Sequence, residues 1–327
     1  MTTKNNATPR QGDTPLSFLS IHEGVTMTRT DIQQEITDTI IQLLDQVDVN
    51  DYEPPFASLA ALGIPENPIT QNQYHGVNIL ALWFNQKSRG LTSNQWASYR
   101  QWQKVGAKVK KGEKGARIIF YKTLTVDGKD DDGKTEALKI PMLKQYSVFN
   151  AAQVEGYEDT TQHAKVPEIN KVTRHNLIEA FCKNTKADIR EAANEAFYNP
   201  SDDYINMPKP SLFVDTKHAD ATEHYYGTLL HELTHWTGHQ KRLDRKDNPN
   251  TKYIQNYAYE ELIAELGAAF LCAHFNTKQT QPIHHALYIK SWLKALKNDK
   301  TVLFRASAQA AKAVAHLEGY QGEVQHD

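Results

Sequence analysis

Apolar residues recur at three- and four-residue steps through Ile32, Ile36, Ile40, Leu43, Leu44 and Val47, a spacing that predicts an amphipathic helix capped at Thr30. Residues 1–28, rich in Thr, Asn, Gln and Gly, show no such period and hold too few apolar side chains to offset the entropy of ordering, so disorder is predicted there. A loop through Pro54, Pro55, Pro65 and Pro68 leads to a predicted helix from Tyr74 through Trp83, ending near Gly90. Ser93 is expected to cap a short helix carrying Trp96, Tyr99 and Trp102. After Gly106 the pattern turns to β. Ala107–Val109 and Ala116–Tyr121 read as a strand pair around the turn Lys111–Gly115, Asp127–Gly133 as an acidic turn, and Leu143–Phe149 as a returning strand.

A polar stretch then reads as a linker, and a second half begins with a helix near Val172–Asn184. Two β-like runs follow, Ala196–Tyr198 and Asp203–Met207, joined at Asn199–Asp202. From Lys217 onward the periods are helical, over 217–239, 256–275, 283–297 and 300–317. The expected organisation is α+β: a disordered 1–28, an α+β domain with a small sheet at 29–150, a linker at 151–169 and a mostly helical domain at 170–327. A chain of 327 residues has room for two such cores.

Composition narrows the function classes. Hydrophobic residues make up 39% and charged residues 23%, with no apolar run of the ~18 residues a membrane span needs. The first residues lack a secretion signal, which predicts a cytoplasmic protein without membrane partners. The two cysteines, Cys182 and Cys272, sit in helical patterns and read as small buried hydrophobes, not as a disulfide or CxxC metal framework. The net charge of −2 conceals an asymmetry. Trp83–Lys122 carries ten basic residues against Glu113 alone, a segment charge of +9, so the remainder sums to −11. Such a split points to a polyanion partner for one part of the chain.

The sharpest chemistry is His231-Glu-Leu-Thr-His235. A four-residue step returns to one helical face, so both imidazoles reach one metal while Glu232 stands beside them to take a proton from water. The flanking Leu229, Leu230, Leu233 and Trp236 give the helix an apolar face, where a His-Glu-His cluster without a ligand would be costly. A catalytic zinc site needs a third protein ligand and an open position. The pattern that places a third histidine after Gly238 fails, because position 241 is Lys241. A glutamate from Tyr259-Glu-Glu-Leu-Ile-Ala-Glu265 is the alternative. Glu261 is assigned as ligand and Glu265 as the carboxylate behind a histidine, with Glu260 as fallback. Zn2+ is the expected ion, and two histidines with one carboxylate also suit Mn2+ or Fe2+. Tyr257, Tyr259 and His239 lie near in sequence without an assigned role. The reaction implied is metal-assisted hydrolysis, most commonly of a peptide bond.

In the basic segment, rings and cations interleave: Trp96, Tyr99, Arg100, Trp102, Lys104, Lys108, Lys110, Lys111, Lys114 and Arg117. A cationic groove with stacking rings is how single strands are bound, whereas helix-core rings with a solvated lysine face would give the same pattern. No GxxxxGK[ST] run exists, so nothing points to ATP hydrolysis.

Two separate stretches, Asn94–Tyr121 with its Lys-Val-Lys-Lys-Gly-Glu-Lys-Gly run and Tyr226–His239 with Tyr259–Cys272, resemble the ArdC-type antirestriction proteins. The resemblance runs from Arg29 to Leu317. It implies an N-terminal single-stranded-DNA-binding domain, related to domains of plasmid primases, and a C-terminal zincin-like metallopeptidase domain. His231, Glu232, His235 and Glu261 match the family's site. The implied role is that of a mobile-element protein that protects incoming DNA from restriction, with a restriction subunit or the chain itself as protein substrate. The competing readings are occlusion of DNA by binding alone and a replication or primase accessory role, each with a structural or inactive metal site.

Overall fold

The computed structural model describes residues 32–46, 56–129, 135–159, 171–245, 253–279 and 286–322. The expected disorder of 1–28, the Thr30 cap and residues 160–169 of the expected linker lie outside these.

Helices α1 (Ile32–Asp45), α2 (Ala57–Ala60) and α3 (Val77–Ser88) open the ordered chain. Ile36, Ile40 and Leu44 bury one stripe of α1, as the four-residue spacing dictates. Strands β1 (Glu66–Asn67) and β2 (Asn72–Gln73) form a small hairpin between α2 and α3. The segment after Ser93 differs from expectation: Trp96–Ser98 is strand β3, and only Tyr99–Lys104 is helix, α4. Its cap is Ser98, whose hydroxyl accepts from Gln101 N while Gln101 Oε1 accepts from Ser98 N. Ser93 instead accepts from Gln95 N in a turn. The reason is tertiary: Trp96–Ser98 pairs antiparallel with Val148–Asn150, and that ladder draws these residues into extended backbone.

Strand β4 (Lys108–Val109) also departs from the predicted pair. Its partner is β7 (Val154–Glu155), while β5 (Ala116–Lys129) and β6 (Thr135–Asn150) form one long antiparallel ribbon. The sheet order is β3-β6-β5. Asn78 of α3 holds the outer edge of β5, donating to Ile119 O and accepting from Ile119 N. The expected linker therefore begins inside the fold, since Ala151–Gln153 is a 3-10 turn leading into β7.

Helix α5 (Lys171–Thr185) precedes strands β8 (Asp188–Arg190), β9 (Phe197–Asn199) and β10 (Tyr204–Asn206). They form a sheet of order β8-β10-β9, with β10 parallel to β8 and antiparallel to β9. The remaining chain is helical, in α6 (Ala221–Trp236), α7 (Tyr253–His274), α8 (Ala286–Asn298) and α9 (Thr301–Glu318). Helix α6 starts at a capping box, with Asp220 accepting from Thr222 N and Glu223 N and Glu223 accepting from Asp220 N.

The two halves expected from sequence share one hydrophobic core. Ile36, Ile40, Leu59, Leu80 and Trp83 pack in the same cluster as Leu262, Phe270, Trp292 and Leu303. Trp83 and Phe270 meet with ring centroids 6.0 Å apart. The described residues, from Ile32 onward, accordingly form a single compact unit. Cys182 and Cys272 are buried in a second cluster around α5, α6 and α7.

Candidate metal centre

Helix α6 turns Leu230, Leu233 and Trp236 into the protein and carries His231 and His235 one turn apart. Helix α7 crosses it so closely that a Cβ at Gly267 would stand 2.4 Å from Thr234 Cγ2. Only glycine allows that approach, and the approach brings Glu261 against both imidazoles. The Nε2 atoms of His231 and His235 are 3.1 Å apart. Glu261 Oε2 lies 3.6 Å from His231 Nε2, and its Oε1 lies 3.4 Å from His235 Nε2. Donor atoms ~2.0–2.1 Å from one tetrahedral ion stand ~3.3–3.4 Å from one another, so these three separations fit a single small divalent cation. One donor atom from each of the three residues falls within 4.8 Å of the others.

The electrostatics also suit a cation. Burial works against a charged His235, yet Glu261, Glu260 and Glu232 outweigh it and hold the imidazole well above its ordinary value. Burial likewise works against an ionised Glu261, and the two imidazoles overcome it, holding the carboxyl well below the usual range. Three carboxylates around two histidines favour positive charge at their centre.

The carboxylate behind a ligand histidine is Glu260, not Glu265. Glu260 Oε1 lies 3.3 Å from His235 Nδ1. Glu265, fully buried, accepts instead from Gln279 Nε2 at 2.7 Å. A helix residue lies on the face set by its angle, and the crossing at Gly267 aims Glu261 at the ion position and Glu260 at the outer side of His235. Glu260 is itself held by Arg245, through Nη2 at 2.6 Å and Nε at 3.1 Å. Arg245 also donates to Thr237 Oγ1 and to the carbonyl of Thr234 at the end of α6. Sequence reasoning missed Arg245. Gly238 was its one signal, because a Cβ there would meet the guanidinium at 2.8 Å. Lys241, where a third histidine would stand in the rejected pattern, lies 3.5 Å from Asp203.

A cleft of about 820 Å3 opens over the cluster. Phe197 and Tyr198 of β9 form one wall, and Tyr257 of α7 with Tyr288 of α8 another. The β9 wall is tied to the end of α6 by Arg242, which pairs with Asp203, donates to the Tyr198 hydroxyl and stacks on Trp236 at 3.7 Å. Glu232 lines the cleft, and so do Tyr257, Tyr259 and His239. Of these last three, His239 approaches Asp203 at 3.7 Å and Tyr259 interacts with Arg305. Tyr257 bonds Glu261 and Tyr288, and burial together with the Glu261 charge raises its phenol well above the ordinary value.

The basic segment divides differently from expectation. Trp96 and Trp102 are fully buried, so neither offers a face to a base. Trp102 donates to Phe149 O and packs on Tyr157, and Trp96 lies in the core beneath β5 and β6. Tyr99 is 48% exposed, and Arg100, Lys104, Lys108, Lys110, Lys111 and Lys114 are exposed. Arg117 is half-buried and ion-paired with Glu35 of α1.

Comparison with known proteins joins these observations. Residues 30–149 match the N-terminal domain of anti-restriction factor ArdC, and residues 176–309 match a zincin-like metallopeptidase. The crystal structure of the antirestriction ArdC protein from plasmid R388, in metal-free form, superposes with a TM-score of 0.69 at 35% identity, covering 90% of this chain and 99% of that one. The chain belongs to the ArdC family of antirestriction proteins. A second crystal structure of the ArdC protein from R388 is Mn(II)-bound and superposes with a TM-score of 0.68, covering 90% of this chain and 100% of that one. The uncharacterized protein y4eC of Sinorhizobium fredii is 35% identical over 305 residues, covering 92% of this chain and 95% of that one. A DNA primase TraC of Escherichia coli is 35% identical over 263 residues, 76% of this chain but 17% of the primase. The zincin-like match thus falls on the residues whose three donor atoms could hold a divalent metal, and among the described residues no helix is long and apolar enough to cross a membrane.

Proposed function

We propose that this ArdC-family chain is a cytoplasmic antirestriction protein of a mobile element that binds single-stranded DNA and hydrolyses peptide bonds at a zinc-loaded site, protecting incoming DNA. The observation that carries the enzymatic part is the convergence of His231, His235 and Glu261 beneath an open cleft, with Glu232 beside them. A structural zinc site is normally closed by four protein ligands. Among the described residues three converge here, and a carboxylate faces the cleft.

His231, His235 and Glu261 would hold the ion. It would supply Lewis acidity, polarising the scissile carbonyl and easing the ionisation of water. Glu232 accepts the proton of the attacking water and delivers it to the leaving amine. Tyr257, kept as a neutral phenol, would turn its single O–H from Glu261 to the oxygen that gains charge as the carbonyl is attacked. Glu260 and Arg245 fix the ring plane of His235. The exposed cations Arg100, Lys104, Lys108, Lys110, Lys111 and Lys114 supply the electrostatic part of strand binding, and with the rings of Trp96 and Trp102 enclosed, Tyr99 is the surviving ring of the original set.

The test is proteolysis by wild type and Glu232→Gln, with and without single-stranded DNA, on a panel that includes restriction subunits and the chain itself. Cleavage lost in Glu232→Gln with metal content unchanged is the expected result. Absence of cleavage by both, with strand binding intact, replaces it with protection by occlusion.

A further inference from the structure

With Trp96 and Trp102 enclosed in the core, the rings available to a bound strand lie elsewhere, and the β5–β6 ribbon presents two of them. Ile118 and Val148 close the small core beneath that ribbon. Beyond them the same sheet face continues with Phe120, Tyr146 and Lys144. The register sets Ile118 opposite Tyr146 and Phe120 opposite Lys144. Residues two apart on a strand share a face, so the rings are diagonal neighbours and the ammonium stands across from Phe120.

Phe120 is 49% exposed and Tyr146 46%, and neither belongs to a buried cluster. Their centroids are 5.4 Å apart with ring planes at 83°. An edge-to-face pair covers one face of one ring, so the ring that contributes its edge keeps both faces clear of its neighbour. Exposed ring faces beside a cation, on a ribbon whose β5 strand grows out of the +9 segment, match the surface of a single strand, which offers unpaired base faces and phosphates. A duplex hides its base faces in the stack, and a neutral protein surface does not answer the charge.

We propose that Phe120 and Tyr146 form a platform on which bases of a single-stranded nucleic acid stack, with Lys144 meeting the adjoining phosphate. The inference rests on the single-strand reading above and names its contact surface. The experiment compares, by fluorescence anisotropy over a salt series, an oligothymidylate with an abasic strand of equal length, using the full chain. Wild type favours the base-bearing strand by about tenfold or more. Phe120→Ala/Tyr146→Ala loses that preference and retains affinity for the abasic strand, while Phe120→Trp/Tyr146→Trp, which keeps flat faces, retains the preference. Lys144→Ala retains it too and lowers the slope of log affinity against log salt by about 0.7. A double-alanine variant with the wild-type thermal midpoint and the full preference overturns the platform while leaving the single-strand reading standing. So does a variant whose only change is in self-association, which would make the face a contact between copies. Binding of neither strand by wild type overturns both.

Discussion

At the metal centre of the C-terminal half the ionisable groups are inside: His231, Glu232 and Glu261 are all nearly inaccessible, and His235 is largely covered. In the N-terminal half the arrangement is reversed, with Lys104, Lys108, Lys110, Lys111 and Lys114 in water and the tryptophans Trp83, Trp96 and Trp102 fully enclosed. The difference follows from desolvation. A buried charge needs partners in defined directions, so residue type and spacing are both constrained and a five-residue motif is readable. A surface cation needs only water. Its position in the sequence says that it is outside and little about what it touches, whereas a ring beside it is drawn inward by the area it buries.

The comparison breaks most visibly at the ligands. Glu261→Ala and His231→Ala should each abolish stoichiometric Zn2+ or Mn2+ binding in metal analysis of the purified chain, and metal retained in Glu261→Ala would transfer the ligand role to Glu260 or Glu265. A buried ring in the other half should instead cost stability. Trp102→Ala removes a fully buried ring and its bond to Phe149 O, and denaturant unfolding should show a loss of about 3–5 kcal/mol. Strand affinity measured where the variant is still folded should be unchanged, whereas reduced affinity at wild-type stability would restore Trp102 as a stacking residue. Arg245→Ala sharpens the comparison within the metal half. It acts on the ion only through Glu260 and His235, so isothermal titration should report metal affinity weakened about 10–100-fold with the coordination spectrum of a Co2+ substitute retained.

The smallest effect concerns Asp203. Its bond to Arg242, with help from Tyr198, lowers the carboxyl to about 2 against an ordinary value of 3.8. A depressed carboxyl contributes stability that is fully present above the unfolded value and lost as pH falls through the folded one. Wild type should therefore lose a small increment of stability between about pH 4 and pH 2, and Asp203→Asn should show a flatter profile over that window in acid-unfolding curves.

Local pattern made much of the fold legible. The four-residue apolar steps of α1 and the long helical periods after Lys217 placed α1, α6, α7, α8 and α9, because an amphipathic helix advertises its own buried stripe. Ser93 misled because a serine caps a helix only where the following backbone is free to wind, and β6 claims Trp96–Ser98 first. Strand β4 paired with β7 for a related reason: short strands take whichever edge the fold brings near, and proximity in sequence does not decide it. The shared core of α1, α3, α7 and α9 was invisible to a reading that sought domains as consecutive stretches.

The sequence by itself determined the His231-Glu232-His235 constellation, since all three lie within little more than one turn of a helix whose geometry is local. It also determined that Lys104, Lys108, Lys110, Lys111 and Lys114 face water, because isolated ammonium groups are not buried without partners. Only the tertiary structure decided which of Glu260, Glu261 and Glu265 meets the imidazoles, where Arg245 enters, and which rings remain outside. Each of those depends on how separate elements cross: α7 against α6 at Gly267 and Thr234, and the β5–β6 ribbon past the edge of its core. Such crossings are set by packing summed over many distant residues, which no local spacing encodes.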